Sequence, residues 1–153
     1  MKELLQKYPP SAESLLDILH GLQDAELHHC LSHDALRAVA EYVNVPLSEV
    51  VSTATFYSMY SRRPRGRHIV RICESPPCHL AGTENLLDTL TNHLGIEIGG
   101  TTSDGTFTLE TTSCLGLCAE APAMMIDDRM YGRLTREKAL GAIAEVRRSD
   151  AAK

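Results

Sequence analysis

The sequence has no surplus of positive charge. Its 15 Lys and Arg are outnumbered by 20 Asp and Glu, a net charge of −5, which makes a protein-wide phosphate-neutralising surface, and hence nucleic acid as a partner, a poor expectation. Long hydrophobic runs are also missing: none approaches the roughly 18 apolar residues of a membrane span. Met1-Lys2-Glu3 gives way to Pro9-Pro10 without the roughly 7-residue apolar stretch of a secretory signal, so neither direct membrane insertion nor export is expected. There are no low-complexity tracts and no internal repeats. With 43% hydrophobic and 23% charged residues in 153 positions, disorder is excluded and a globular protein with a real core is described. No G-x-G-x-x-G follows a strand and no P-loop occurs, so a nucleotide or flavin is not expected on this chain. Among the five cysteines no C-x-x-C occurs, which weighs against a dithiol redox enzyme. The expected compartment is cytoplasmic, where thiols stay reduced, and an odd cysteine count there points to metal ligation or catalysis rather than to disulfides.

What is present divides in two. In the first 60 residues, Leu15, Ile18, Leu19 and Leu22 recur at helical spacing behind Ser11 as N-cap, and Leu36, Val39, Ala40 and Val43 repeat the pattern behind Ser32, with Asn44 as the stop. Pro46 can open a further helix carrying Val50, Val51, Ala54 and Tyr57. These segments predict an N-terminal helical bundle over residues 1–61. The composition then changes to a basic, Pro/Gly-punctuated connector, Arg62-Arg63-Pro64-Arg65-Gly66-Arg67. Beyond it, Ile69, Val70 and Ile72 predict a short buried strand running into Cys73, and Leu86 to Leu94 a helix with Thr83 as N-cap and Gly95 as stop. Phe107 and Leu109 alternate as in a strand after the turn Ser103-Asp104-Gly105. Ala123 to Ile126 forms another, Asp127-Asp128 turns it, Met130 to Gly132 returns, and Thr135 caps a last helix. Residues 62–153 thus read βαβββα, a small mixed sheet flanked by helices, and the whole chain is α+β.

The sharpest feature is a pair of close cysteine pairs, Cys73-x4-Cys78 and Cys114-x3-Cys118, 35 residues apart. Each follows a predicted strand, so the four thiols converge if those strands are parallel neighbours joined by the intervening helix. A 2Fe–2S cluster needs this set, since each iron completes its tetrahedron with two thiolates. Its formal charge, about −2 oxidised and about −3 reduced, calls for backbone amides aimed at the sulfurs. Gly116 permits a tight turn that supplies them, and Pro76-Pro77 would stiffen the other loop. Structural zinc also takes four cysteines, although its loops are most often C-x2-C. A zinc-stabilised scaffold or interaction module without redox activity therefore stands as the alternative.

Further residues carry a resemblance. Thr55-Phe56-Tyr57-Ser58-Met59-Tyr60, Ile69 to Cys73, Pro77-Cys78, Gly82, the stretch Thr101 to Leu109 and the run from Cys114 through Ala121-Pro122 to Met125 resemble the E-type subunit family of NADH:quinone oxidoreductase. This is the small thioredoxin-like 2Fe–2S ferredoxin component of complex I, with relatives in NAD-dependent hydrogenases and formate dehydrogenases. Lys7-Tyr8-Pro9-Pro10 and Ala38 to Tyr42 extend the likeness over nearly the whole chain. The resemblance implies a thioredoxin-like ferredoxin domain behind a helical bundle, with Cys73, Cys78, Cys114 and Cys118 binding the irons of one 2Fe–2S cluster. It also implies that the chain is an electron carrier, not catalytic alone. FMN and NAD(H) would then sit on a flavoprotein partner, beside further iron–sulfur subunits.

Other residues carry the blander expectation. Cys30, outside the pattern, reads as a buried or idle thiol, and His28, His29 and His33 beside it as a surface loop. His79 reads as a surface histidine at a helix start, the alternative being a hydrogen bond to a cluster sulfur. Arg62 to Arg71 reads as a solvated linker or a docking surface for an acidic partner. Pro122 occupies a place resembling the cis-proline of thioredoxin-like folds, yet base rates favour a trans bond.

Overall fold

The structure is a computed structural model that describes residues 1–151; residues 152 and 153, the end of the second expected domain, lie outside the described residues. The chain divides into two compact units, Met1–Arg65 and Gly66 onward.

The first unit comprises α1 (Lys2–Leu5), a 3-10 turn (Ala12–Ser14), α2 (Leu15–Ala25), α3 (His33–Val43) and α4 (Leu47–Phe56). The apolar faces legible in the sequence form its core, with Ile18, Leu19, Leu36, Val39 and Val50 fully buried. Ser32 caps α3 as expected, its Oγ accepting from the Ala35 amide at 3.1 Å, and Asn44 ends it in the left-handed region. Ser11 does not cap a helix directly. It precedes the 3-10 turn, and its side chain makes no capping bond. The segment after α4 is fastened back: Gln23 donates to Met59 O and accepts from the Ser61 amide, while Tyr60 donates to Leu16 O at 2.9 Å. Burial, then the nearby Asp17, pushes the Tyr60 phenol up to about 12.

Residues 62–65 belong to this unit, which changes the reading of the basic connector. The Arg65 amide bonds to His28 O and its guanidinium donates to Met59 O, so the side chain is buried rather than solvated. Arg67 pairs with Asp150 at 2.7 Å and Arg71 with Glu110 at 3.5 Å. Three of the five arginines therefore hold local structure, because chain packing offers them carbonyls and carboxylates that sequence order does not reveal.

The second unit is α+β. Strands β1 (His68–Cys73), β2 (Phe107–Thr112), β3 (Met124–Ile126) and β4 (Arg129–Tyr131) form one sheet in the order β2-β1-β3-β4. Its helices are α5 (Pro76–Leu80), α6 (Thr83–Leu94) and α7 (Arg136–Ala151). β1 pairs with β2 in parallel, from His68 opposite Phe107 to Cys73 opposite Thr112, and with β3 antiparallel. Val70, Ile72, Phe107, Leu109, Met124 and Ile126 of the sheet pack with Leu86, Leu90, Ala139 and Ile143 of α6 and α7. Thr135 Oγ1 accepts from the Lys138 amide at the start of α7, the expected cap. Pro76-Pro77 do not stiffen a loop. They open α5, where proline at the first turn loses no helical hydrogen bond.

Ahead of β2 the expected turn is held by Asp104. Its carboxylate accepts from the Thr102 hydroxyl and, at 2.9 Å, from the Thr106 amide, and these bonds hold its pKa at about 2 against the usual 3.8. A carboxyl whose pKa is depressed by folding stabilises above its unfolded pKa and loses that contribution as pH falls towards the folded value. Asp104→Ala should therefore lower the melting temperature at pH 6, and the deficit should shrink between about pH 4 and pH 2. A deficit that stays constant across thermal melts over that range would remove the carboxylate from the turn's stability.

Candidate metal centre

Parallel pairing of β1 and β2 directs their C-terminal ends the same way, and the cysteines follow from that. Cys73 is the last residue of β1, and its amide bonds to Ala123 O at 3.0 Å. Cys114 follows β2 by two residues. Cys78 sits within α5, and Cys118 opens a 3-10 turn, Cys118–Glu120. Cys73 and Cys78 are each 1% exposed and pack with Ala123 against Leu115, Leu117 and Ala121. Cys114 and Cys118 are exposed, with their sulfurs 3.3 Å apart. All five cysteines are free.

Amides are aimed at these sulfurs. Burial pushes the Cys73 thiol up, but bonds from the Ser75 and Leu115 amides and from the Cys78 thiol outweigh it, leaving its pKa below the ordinary value. Cys78 is raised, by burial first and then by the proton it shares with Cys73, against an opposing bond from the Ala123 amide. Cys118 is raised mainly by its hydrogen bond with Cys114. The two pairs also feel each other's charge, since Cys118 acts on Cys78 and Cys73 on Cys118. The Gly116 amide donates to Cys114 Sγ at 3.4 Å from a backbone with φ +81°, the tight turn that only glycine adopts without strain.

The donor set fits two irons with two thiolates each. Among the described residues no group of three or more His, Cys, Asp and Glu side chains is placed to hold a single metal ion. His79 lies inside α5 with its ring 3.7 Å from Glu84 Oε1, so the surface reading holds. Cys30 belongs to the first unit and is half-buried, with its thiol raised by burial and then by Glu26.

Three features differ from the sequence expectation. Thr83 is not an N-cap: Gly82, at φ +95°, takes that position, and the buried Thr83 hydroxyl turns instead to the carbonyls of Cys73 and Cys78 at 3.1 and 2.9 Å. The Ala121–Pro122 bond is cis, against the base-rate expectation, because the trans preference of an X–Pro amide is small enough for its setting to override. Gly132 closes on the turn bearing Cys118. The Arg133 amide bonds to Glu120 O and the Leu134 amide to Pro122 O, and a Cβ on Gly132 would stand 2.7 Å from Glu120 Cβ and 3.1 Å from its carbonyl. No composition or periodicity signal marks either Thr83 or Gly132.

Gly132→Ala should accordingly displace this turn and cost about 1–3 kcal/mol in urea unfolding. Adding Glu120→Gly, which removes the facing Cβ, should recover part of that loss, so the double variant is more stable than the sum of the singles. Strict additivity would show that the contact does not hold the turn.

The model of the thioredoxin-like 2Fe-2S ferredoxin family matches residues 1–147. The E-type subunit of NADH-quinone oxidoreductase from Pseudomonas aeruginosa is 47% identical over 98 residues, 64% of this chain and 59% of the relative. Its Escherichia coli counterpart is 45% identical over 103 residues, 67% of this chain and 62% of its own length. That of Aquifex aeolicus is 34% identical over 131 residues, 86% of this chain and 81% of its own. The crystal structure of an NAD+-reducing NiFe hydrogenase in the air-oxidized state superposes with a TM-score of 0.78 at 26% identity, covering 92% of this chain and 24% of that one. The matches span less than two thirds of the Pseudomonas and Escherichia relatives and about a quarter of the hydrogenase chain. The chain belongs to the thioredoxin-like 2Fe-2S ferredoxin family, whose cofactor is a 2Fe–2S cluster.

Proposed function

We propose that Cys73, Cys78, Cys114 and Cys118 ligate one 2Fe–2S cluster and that the chain is an electron-transfer subunit of an NAD-linked oxidoreductase complex. The observation that carries this reading is the parallel β1–β2 pair, which gathers two cysteine pairs at one end of the sheet. When bound, the cluster supplies storage for a single electron. The chain's own residues do the rest. Amides of Ser75, Leu115, Gly116 and Ala123 offset thiolate charge, and the burial of Cys73 and Cys78 keeps water from the first pair. The NADH-quinone oxidoreductase relatives and the NAD+-reducing hydrogenase are named for NAD-linked reactions. This chain carries no nucleotide motif, so FMN and NAD(H) are assigned to a flavoprotein partner, beside further iron–sulfur subunits. No helix among the described residues is long and apolar enough to cross a membrane, and the reading places the chain in the cytoplasm.

The parent should hold two irons and two sulfides per chain and absorb in the visible range, as ferric 2Fe–2S does. Cys73→Ser or Cys114→Ser should lose most of both, while Cys30→Ser should not. Equal loss in Cys30→Ser would overturn the ligand assignment, and a colourless parent holding one zinc would favour the scaffold reading.

The isolated chain should accept one electron from a strong chemical reductant yet be bleached by NADH negligibly. Hydride donation delivers two electrons and requires a flavin to split them. Rapid bleaching of the flavin-free chain by NADH would contradict the assignment of that step to a partner.

A further inference from the structure

We infer that Thr83 is a positioning residue for the first cysteine pair, its hydroxyl clasping the backbone of Cys73 to that of Cys78. The inference about cluster geometry rests on the ligand reading above; the clasp itself stands on the hydrogen bonds. Thr83 is the first residue of α6, one position past the N-cap from which a threonine hydroxyl would serve its own helix. Here Gly82 supplies the left-handed entry, and the hydroxyl is freed to face the preceding segment. It is 2% exposed. A hydroxyl carries one hydrogen, and this one lies within reach of two carbonyl oxygens, Cys73 O at 3.1 Å and Cys78 O at 2.9 Å. Those carbonyls bracket the whole C-x4-C loop, one at the end of β1 and the other inside α5. The hydroxyl thus fixes how far apart the two ligand backbones sit, independently of the amides that reach the sulfurs.

Other devices hold the loop less completely. The Cys73 amide is fixed by Ala123 O and the Glu74 amide by Thr112 O, which secures the strand end but not α5. The His79 amide bonds to Ser75 O and the Ala81 amide to Pro77 O, which shapes α5 but does not tie it to β1. Thr83 spans both. Its methyl group and Cα occupy a place that valine would fill almost identically, so the hydroxyl's contribution can be isolated.

The test uses the full chain as parent, Thr83→Val, Thr83→Ser and, as a control, Thr108→Val. Thr108 is another buried threonine of the same unit, whose Oγ1 accepts from the Gly66 amide at 2.7 Å and which stands opposite Ile69, four residues along β2 from the end that faces Cys73. Four quantities are read: melting temperature, alkylation of Cys73 and Cys78 in the metal-free protein, the rate at which a chelator bleaches the reconstituted cluster, and the cluster's visible circular dichroism. Thr83→Val should speed bleaching by about 10- to 100-fold, the usual effect of removing a group that orients a metal ligand. It should also alter the dichroism and hasten alkylation of the metal-free thiols, while Thr83→Ser stays near the parent. Thr108→Val should lower the melting temperature without changing the dichroism. The inference is overturned if Thr83→Val matches the parent, if Thr83→Ser is as labile as Thr83→Val, or if Thr108→Val reproduces the whole effect. Should Thr83→Val not fold, Thr83→Ala makes the same comparison, and failure of both assigns Thr83 to the fold alone. A parent that takes up no cluster would instead defeat the ligand reading, and the alkylation rates would still decide the clasp.

Discussion

Parallel pairing of β1 with β2 governs the geometry of the candidate site. Parallel neighbours cannot be joined by a tight turn; the connection must travel back along the sheet, and α5 and α6 make that journey. In return, both strands finish at the same end, with Cys73 opposite Thr112 and Cys114 two residues further on. An antiparallel arrangement of the same two strands would have put the cysteine pairs at opposite ends of the sheet. β1 is also central, flanked by β2 and β3, so the end carrying Cys73 is constrained from both sides, by Thr112 O through the Glu74 amide and by Ala123 O through its own.

Burial then differentiates the pairs. Cys73 and Cys78 lie beneath Leu115, Leu117 and Ala121, while Cys114 and Cys118 remain exposed. A buried thiolate is costly unless hydrogen-bonded, and the amides of Ser75, Leu115 and Ala123 serve that pair. The exposed pair needs less, having water and the Gly116 amide. The chain thereby places its densest set of donors where solvent cannot help, and anything approaching the sulfurs from outside meets Cys114 and Cys118 first.

Much of this was legible in the sequence, and the reasons are local. Alternation in Phe107–Leu109, the apolar run ending at Cys73, and the helical spacing of Leu86 and Leu90 report burial directly. Gly95, Gly105 and Asn44 report backbone geometry that few other residues adopt. What stayed hidden depends on contacts between distant segments. Thr83 looks like a cap because a threonine before a helical run usually is one; only the fold brings two cysteine carbonyls to its hydroxyl. Arg65 looks solvated because it stands among arginines, yet Met59 and His28 supply carbonyls that bury it. Gly132 reads as the end of a strand, since nothing in its neighbours announces that Glu120 packs where its Cβ would be.

The hidden residues share a property that bears on how the site forms. Thr83 and Gly132 both lie C-terminal to the cysteines they steady, at the start of α6 and at the junction of β4 with α7. Neither can act until those later elements have packed against the sheet. The thiols are therefore not presented by two self-sufficient loops, as in a short chelating peptide; their spacing is a product of the finished tertiary structure. Metal binding and folding of the second unit should be thermodynamically coupled in consequence, because a ligand set absent from the unfolded chain makes binding energy into folding energy. The coupling runs in both directions under the proposed ligation: packing of α6 and α7 orders the sulfurs, and sulfurs that held the cluster would resist the opening of the elements that carry them.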